Sequence, residues 1–315
     1  MTTRGGDGGT RKRMRDGTNG APDGGKRPRV ILPSRKLPDR NPQDTSAPAR
    51  WLPSLGVIFS IAVLAVLAAW MIAPGVFAPD ALAQDVTRGG LPALSPGHIL
   101  GTDALGRDVL KLIIAGTRSA LIGPVCIAVG SLAIGLVFGS IAGWYGGPAD
   151  WVISRYADLT LSMPSLLIAI VAAGIIGGGY WVSVAVMIVL YSPFDIRLVR
   201  SAVIQQKGKP YIESALLLRL GAARILAKHI FPNIIMIVFV NFFLNIAYGL
   251  VSMSSLSYLG LGVAPGAADW GRQLSDGKAI LFDNPASALG AGAAIVVAAI
   301  AVNVVGNYLM EKKGL

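Results

Sequence analysis

The sequence has few charged side chains and almost no cysteine. Asp, Glu, Lys and Arg make up 14% of the 315 residues, whereas 53% of residues are hydrophobic and the mean hydropathy is +0.59. A soluble domain of this length needs far more polar surface, so the composition excludes one globular core in water and indicates a bilayer protein. The single cysteine, Cys126, lies in an apolar stretch and excludes an internal disulfide framework.

A nucleotide-binding loop is also missing. The segment GAPDGGKR at 20–27 matches G-x-x-x-x-G-K, but Arg27 stands where a Mg²⁺-binding Ser or Thr is required. We therefore expect this chain to bind no ATP and no other cofactor. Residues 1–50 hold 12 basic and 5 acidic residues, with many Gly and Pro and no apolar periodicity. This composition predicts a disordered basic tail.

Long apolar stretches are abundant instead. A hydrocarbon core about 30 Å thick requires about 20 apolar residues in a helix. The stretches that meet this requirement are 51–74, 119–143, 159–178, 180–199, 234–256 and 287–309. They predict an all-α integral membrane protein with six transmembrane helices. The first helix would be followed by an extracytoplasmic segment at 75–118, a core of five helices at 119–309 and a cytoplasmic C-terminus at 310–315.

The basic residues predict the orientation of these spans. With the N-terminus inside, 22 of the 28 Lys and Arg residues lie on the inner side and six lie outside. Since Lys and Arg in short loops stay in the cytoplasm, both termini and the loop at 201–233 are predicted to be cytoplasmic. The protein would be a multi-pass component of the cell's inner (plasma) membrane.

The sequence predicts that no span carries an Asp, Glu, Lys, Arg or His in its middle, because each ionisable residue can be assigned to the tail, a loop or the end of a span. A voltage sensor needs an arginine ladder, and proton-coupled carriers commonly need intramembrane relays. A voltage sensor is therefore excluded and a proton-coupled carrier is disfavoured, whereas sodium coupling through backbone carbonyls stays open. Energy for any pumping is therefore expected from another polypeptide.

One cytoplasmic stretch, YIESALLLRLGAARILAKHIFPN at 211–233, is amphipathic. Pro210 suits a first helical turn, and Glu213 lies near the positive end of the helix dipole. We expect Gly221 to adopt a positive φ that ends this short helix and turns the chain. A second helical piece follows, and Pro232 with Asn233 closes it and begins the next span.

These residues resemble the EAA loop of ABC importer permeases, which docks into a groove on the ATP-binding subunit. The resemblance rests on the run Glu213-Ser214-Ala215, on Gly221 and on the closing His229, Pro232 and Asn233, with Ser214 in place of the usual alanine. It implies a coupling helix whose ATPase contacts are Glu213, Ser214, Ala215, Leu218 and Gly221.

Three further segments narrow the resemblance. Residues 98–123, 142–170 and 255–277 are similar to segments of the C-type permeases of dipeptide and oligopeptide importers. The family implies a type I permease fold that supplies half of a translocation path and catalyses no reaction. It also implies a second permease in a heterodimer, two ATP-binding subunits that hold ATP and Mg²⁺, an extracytoplasmic substrate-binding protein, membrane lipid, and no nucleic acid.

Two other groups of residues are candidates for function. Asp103, Arg107 and Asp108 are expected either to contact the binding protein or to be structural, since Asp108 and Lys111 also form a routine helix pair at i, i+3. Ser162, Met163 and Pro164 are expected to line the translocation path or to pack within the bundle, and the proline favours a kink.

Other functions remain open from the sequence. A related importer permease for nickel or haem would have the same subunit plan. A secondary carrier would transport without ATPase partners, and a membrane scaffold would bind anionic lipid through the basic tail. The sequence favours an importer for peptides over these alternatives.

Overall fold

The computed structural model describes residues 55–312. The predicted tail at 1–50, with its rejected nucleotide loop, and residues 51–54 and 313–315 lie outside the described part. The described helices are α1 (Leu55–Ile72), α2 (Pro74–Phe77), α3 (Val109–Tyr145), α4 (Gly147–Leu161), α5 (Ser165–Ile176), α6 (Tyr180–Lys207), α7 (Pro210–Leu217), α8 (Ala222–Ile225), α9 (Phe231–Tyr258), α10 (Trp270–Gly277) and α11 (Ala286–Lys312). Residues 55–312 form no β-strand, only two isolated bridges between α1 and α3. The all-α prediction is confirmed.

Five of the predicted spans are single helices, but the third is not. α3 begins ten residues earlier than the predicted span at 119–143, and α6 extends eight residues beyond 199. In place of one helix at 159–178, α4 and α5 meet at a bend of 89°. The bend falls at Pro164, which lacks the N–H of a continuing helix and also disfavours helical geometry at the preceding residue.

α3 and α6 pack side by side at very short distance. A Cβ on Gly135 would lie 2.3 Å from the Cβ of Asp195, and a Cβ on Gly139 would lie 2.7 Å from the carbonyl oxygen of Ile196. Small residues at helix interfaces allow such close approach, which is a common packing mode within membranes. The two helices therefore form the centre of the bundle.

The contacts between α3 and α6 show that the two helices run in the same direction. At the start of α6 and 14 residues into α3, the Tyr180 hydroxyl accepts from Gly123 N at 2.6 Å. Near the end of both, Lys207 Nζ donates to the carbonyl oxygen of Trp144 at 2.6 Å. The bent pair α4–α5 must therefore bring the chain back across the full thickness of the bundle. It is the third of six crossings, despite its break.

The long helices end on two opposite surfaces of the bundle, and we name each surface by the short helix that it carries: the α10 face and the α7 face. On the α10 face, α10 packs on the start of α3, where Trp270 Nε1 donates to Ile113 O at 2.8 Å and Gln273 Nε2 donates to Val109 O at 3.1 Å. Trp270 is fully buried. The α7 face lies at the other end of α3 and α6 and carries α7.

The expectation that no ionisable residue lies inside a span is wrong. Asp195 is fully buried near the middle of α6 and contacts Asn245 in the middle of α9. Its neighbours Arg197 and Arg200 made it look like part of a charged span end. Because α6 continues as a helix to Lys207, the span reaches further than the apolar run.

Candidate functional site

The α7 helix is fastened to the bundle by two inward side chains. Ile212 is fully buried and Ala215 is nearly so. Both belong to an apolar cluster with side chains from the end of α3 and from α6 and α9, including Trp144, Val199 and Ile234. Ala215 was predicted to contact an ATPase, but its methyl group faces the bundle and anchors α7 instead.

The opposite side of α7 is exposed and largely apolar. Leu217 and Leu218 are 85% and 74% exposed, and Glu213 in the first turn is also exposed. The Ser214 hydroxyl donates to Pro210 O at 3.1 Å, so the serine that replaces alanine is satisfied within its own helix. An exposed leucine pair beside a carboxylate is a surface suited to docking against a protein.

The turn after α7 differs from the prediction. Arg219, not Gly221, has the positive φ, at 53°, whereas Gly221 has a φ of −65° and serves as the N-cap of α8. A Cβ on Gly221 would meet no atom within 4 Å. The fold therefore does not need glycine at 221, and any requirement for glycine there must come from a molecule that approaches the exposed turn.

The second helical piece of the loop continues directly into the fifth span. α8 leads through one π-helical turn at Leu226–Ile230 into α9, and residues Ala222–Tyr258 form one helix of 37 residues. Pro232 lies two residues after this π-helical turn, and Asn233 Nδ2 donates to His229 O at 2.6 Å. Movement of the loop therefore reaches the bundle without an intervening hinge.

Sequence reasoning missed two ion pairs that hold the bent span against α6. The Arg200 guanidinium donates to both carboxylate oxygens of Asp150, at 2.5 and 2.6 Å, and Arg197 pairs with Asp158. The sequence shows that Asp150 and Asp158 are eight residues apart and that Arg197 and Arg200 are three residues apart. It does not show the antiparallel packing of α4 against α6, which brings these residues together.

Ser162, Met163 and Pro164 lie at the bend between α4 and α5. Ser162 caps α4 with its hydroxyl donating to Leu159 O at 2.7 Å, and the Pro164 carbonyl accepts from Leu167 N at 3.0 Å. The Met163 side chain is 60% exposed and therefore does not pack within the subunit. Whether it lines a path stays a prediction.

Asp103, Arg107 and Asp108 make contacts within the chain, which fits the structural role that was one of the two expectations for them. Asp103 and Arg107 are both 4% exposed and form a buried ion pair, and the Arg107 guanidinium also donates to Gly266 O at 3.1 Å. Asp108 is the N-cap of α3, where it accepts from Lys111 N and contacts His98 Nδ1 at 2.8 Å. These residues fasten the segment before α3 to the bundle and to the loop after α9.

An exposed carboxylate on the same segment behaves differently. Hydrogen bonds from Thr87 hold the pKa of Asp85 below its usual value, and Arg88 adds a favourable charge. Asp85 thus stays ionised at the surface, where water stabilises it as well.

A cavity of about 490 Å³ lies on the α10 face. It is lined by the end of α5, the start of α6 and the loop after α9, and half of its lining residues are glycines. The lining residues are Ala173, Gly174, Gly177–Tyr180 and Gly260–Pro265. Gly179 N donates to Leu261 O at 3.1 Å, which joins the two walls. Within residues 55–312, no group of three or more His, Cys, Asp or Glu side chains is arranged to hold a metal ion.

Comparisons with known proteins agree with this architecture. The family model described as binding-protein-dependent transport system inner membrane component matches residues 135–312. The glutathione transport system permease protein GsiD of Pectobacterium atrosepticum is 34% identical over 218 residues, which cover 69% of this chain and 72% of the relative. The dipeptide transport system permease protein DppC of Alkalihalophilus pseudofirmus is 32% identical over 217 residues, which cover 69% of this chain and 71% of the relative.

Proposed function

The chain belongs to the family of binding-protein-dependent transport system inner membrane components, and from that premise we propose that it is a permease subunit of an ATP-driven importer of dipeptides or oligopeptides. It is a multi-pass membrane transport component and not an enzyme. The peptide substrate is supported by relatives that are named as transport system permeases for glutathione and for dipeptides.

The observation that carries the proposal is the α7 surface. Its inner side is anchored in a cluster shared by α3, α6 and α9, and its outer side presents Glu213, Leu217 and Leu218. An ATPase subunit that grips this outer side can push or pull three spans together. Ser214 and Gly221 are also exposed and belong to the same proposed contact.

The arrangement of partners follows from the subunit's form. One six-crossing bundle supplies half of a path, so we place it in a heterodimer with a similar permease, surrounded by membrane lipid. Two ATP-binding subunits would hold ATP and Mg²⁺ and dock on the α7 faces. An extracytoplasmic binding protein would deliver peptide to the α10 faces. Closure of the ATPase dimer would draw the α7 helices together and open the path outward, and hydrolysis would reset it.

The substrate is tested by transport. The complete complex, reconstituted in proteoliposomes with its binding protein, is expected to accumulate a radiolabelled dipeptide only when ATP is present. Uptake of Ni²⁺ or haem without uptake of peptide would replace the peptide assignment with one of the alternative substrates. Accumulation driven by an ion gradient without ATP would replace the importer by a secondary carrier.

The coupling surface is tested with the two glutamates of the chain. Glu213→Gln is expected to lower peptide-stimulated ATP hydrolysis by roughly 10-fold or more, because a charge-assisted hydrogen bond at the docked surface contributes about 1.5–3 kcal/mol. Glu311→Gln, at the exposed end of α11, is the matched control and should keep normal activity. Equal activity of both variants would contradict the assignment of α7 as the coupling helix.

A further inference from the structure

The buried Asp195 is not used by the coupling mechanism described above. It lies 15 residues after the start of α6 and 12 residues before its end, which is about 22 Å and 18 Å along the helix axis. Its side chain is fully buried among α3, α6 and α9. A carboxylate at this depth is costly and in membrane proteins usually marks a functional site.

The groups around the carboxylate are polar but neutral. Asn245 Nδ2 lies 3.0 Å from both carboxylate oxygens and 3.5 Å from Ser131 Oγ, and Asn241 Nδ2 also donates to the carboxylate. Ser131 is on α3, and both asparagines are on α9. These hydrogen bonds solvate the charge in part, but amides and hydroxyls do not neutralise it.

The nearest basic residues along the chain are engaged elsewhere. Arg197 pairs with Asp158, and Arg200 binds Asp150 through two hydrogen bonds. No basic side chain in residues 55–312 makes a salt bridge with Asp195. An ionised carboxylate in this position therefore needs a small cation to balance its charge.

We propose that Asp195, Asn241, Asn245 and Ser131 form a binding site for a single Na⁺ ion. The cluster offers oxygen donors only of the hard type: a carboxylate, two amide oxygens once the amides turn over, and a hydroxyl. Which amide atom faces the carboxylate is an assignment that depends on the neighbours, and a bound cation reverses it. A monovalent ion balances the single negative charge, whereas a divalent ion leaves an excess positive charge in an apolar interior.

The helices beside Asp195 are tightly packed. A Cβ on Gly135 would lie 2.3 Å from the Asp195 Cβ, so α3 and α6 are in direct contact next to the carboxylate. A bound Na⁺ would also join α6 to α9, which are the two helices that flank α7 in the chain. It would thus fix the relative position of the two arms of the coupling loop.

The proposal is tested by the thermal unfolding of the purified full-length chain in detergent, at constant chloride and ionic strength. Replacing choline with Na⁺ is expected to raise the unfolding midpoint in a saturable manner, by roughly 5–10 °C at about 100 times the dissociation constant. K⁺ is expected to have a much smaller effect. Scintillation proximity with ²²Na⁺ should give about one ion bound per chain.

Three variants make the test specific. Asp195→Asn should abolish the Na⁺-dependent shift, and Asn245→Ala should weaken Na⁺ affinity at least 10-fold. Asp158→Asn is the control, because it removes an exposed carboxylate from the pair with Arg197 and should leave the shift intact. If Asp195→Asn does not fold, the wild-type response and Asn245→Ala still decide the matter.

Three results would overturn the proposal. These are a wild-type midpoint that is equal in Na⁺ and choline, a Na⁺ shift that survives in Asp195→Asn or keeps the wild-type Na⁺ affinity in Asn245→Ala, or a midpoint that responds to pH but not to Na⁺. The last result would mean that a proton, and not Na⁺, balances Asp195. None of these measurements uses peptide or ATPase, so failure of the proposed substrate leaves this test unaffected.

Discussion

At the scale of single residues, two aspartates of the segment between α1 and α3 have opposite environments. Asp103 is buried and paired with Arg107 at 2.6 Å, whereas Asp85 is exposed and paired with Arg88 at 3.3 Å. Removing one partner of a buried pair leaves an uncompensated charge, but an exposed partner is replaced by water. The two pairs should therefore differ greatly in their effect on stability.

Arg107→Ala is expected to lower the free energy of unfolding by about 3–5 kcal/mol, because Asp103 remains buried without its counter-charge. Arg88→Ala should leave the unfolding midpoint almost unchanged. Thermal unfolding of both variants in the same detergent checks the difference. Similar midpoints for the two variants would show that the buried pair has no special role in fastening the segment.

These residues also show where sequence analysis stops. Asp103 and Arg107 were named as candidates for function, but the sequence did not show that Arg107 binds Gly266 O, which is 159 residues away in the chain. Asp195 was missed because its partners Asn241 and Asn245 carry no charge and lie on another helix. The pattern of hydrophobic residues predicts where the spans lie, but it does not show which polar side chains of different spans contact each other.

At the scale of helices, local signals were sufficient wherever the chain itself sets the geometry. The amphipathic pattern and Pro210 predicted a helix at 211–220, and α7 occupies Pro210–Leu217. The third span was predicted at 159–178, with a kink favoured at Pro164, and the chain does break at this proline. Local sequence reveals neither the angle of 89° nor the contacts of α4 with α6, such as the pair of Asp150 with Arg200.

The close packing of α3 on α6 gives a prediction at this scale. Gly139→Ala is expected to destabilise the protein by about 1–3 kcal/mol, because the new methyl group would lie 2.7 Å from Ile196 O and 2.8 Å from Val199 Cβ, and the helices must move apart. The matched control is Gly174→Ala in α5, where a Cβ meets nothing within 4 Å. Its stability should be equal to the parent or slightly higher.

Thermal unfolding in detergent measures both glycine variants. A loss for Gly174→Ala as large as that for Gly139→Ala would mean that glycine is needed for reasons other than the contact between α3 and α6.

At the scale of the whole molecule, the parallel course of α3 and α6 makes α4–α5 a crossing, so α7 and α10 lie on opposite faces. The distribution of basic residues supports a cytoplasmic α7 face. The number of spans and the all-α class could be predicted from composition and run length alone. The direction in which each helix runs relative to its neighbour required the contacts at both ends of α3 and α6.

Orientation is tested with single cysteines in a Cys126→Ala background. Leu217→Cys on the α7 face and Phe282→Cys on the α10 face both place a thiol at a well-exposed position, since the native side chains are 85% and 100% exposed. A membrane-impermeant maleimide is expected to label the cysteine at 282 in intact cells, and the cysteine at 217 only after permeabilisation. Labelling of both in intact cells would contradict the six-crossing topology.

The unbroken helix from Ala222 to Tyr258 has a mechanical consequence. Its 37 residues form a rod about 55 Å long, since each residue adds 1.5 Å. If the rod pivots near its middle, a rotation of about 5° displaces each end by roughly 2–3 Å in opposite directions. It therefore acts as a two-armed lever: a small push beside α7 shifts the wall of the glycine-lined cavity that follows Tyr258, on the far side of the membrane.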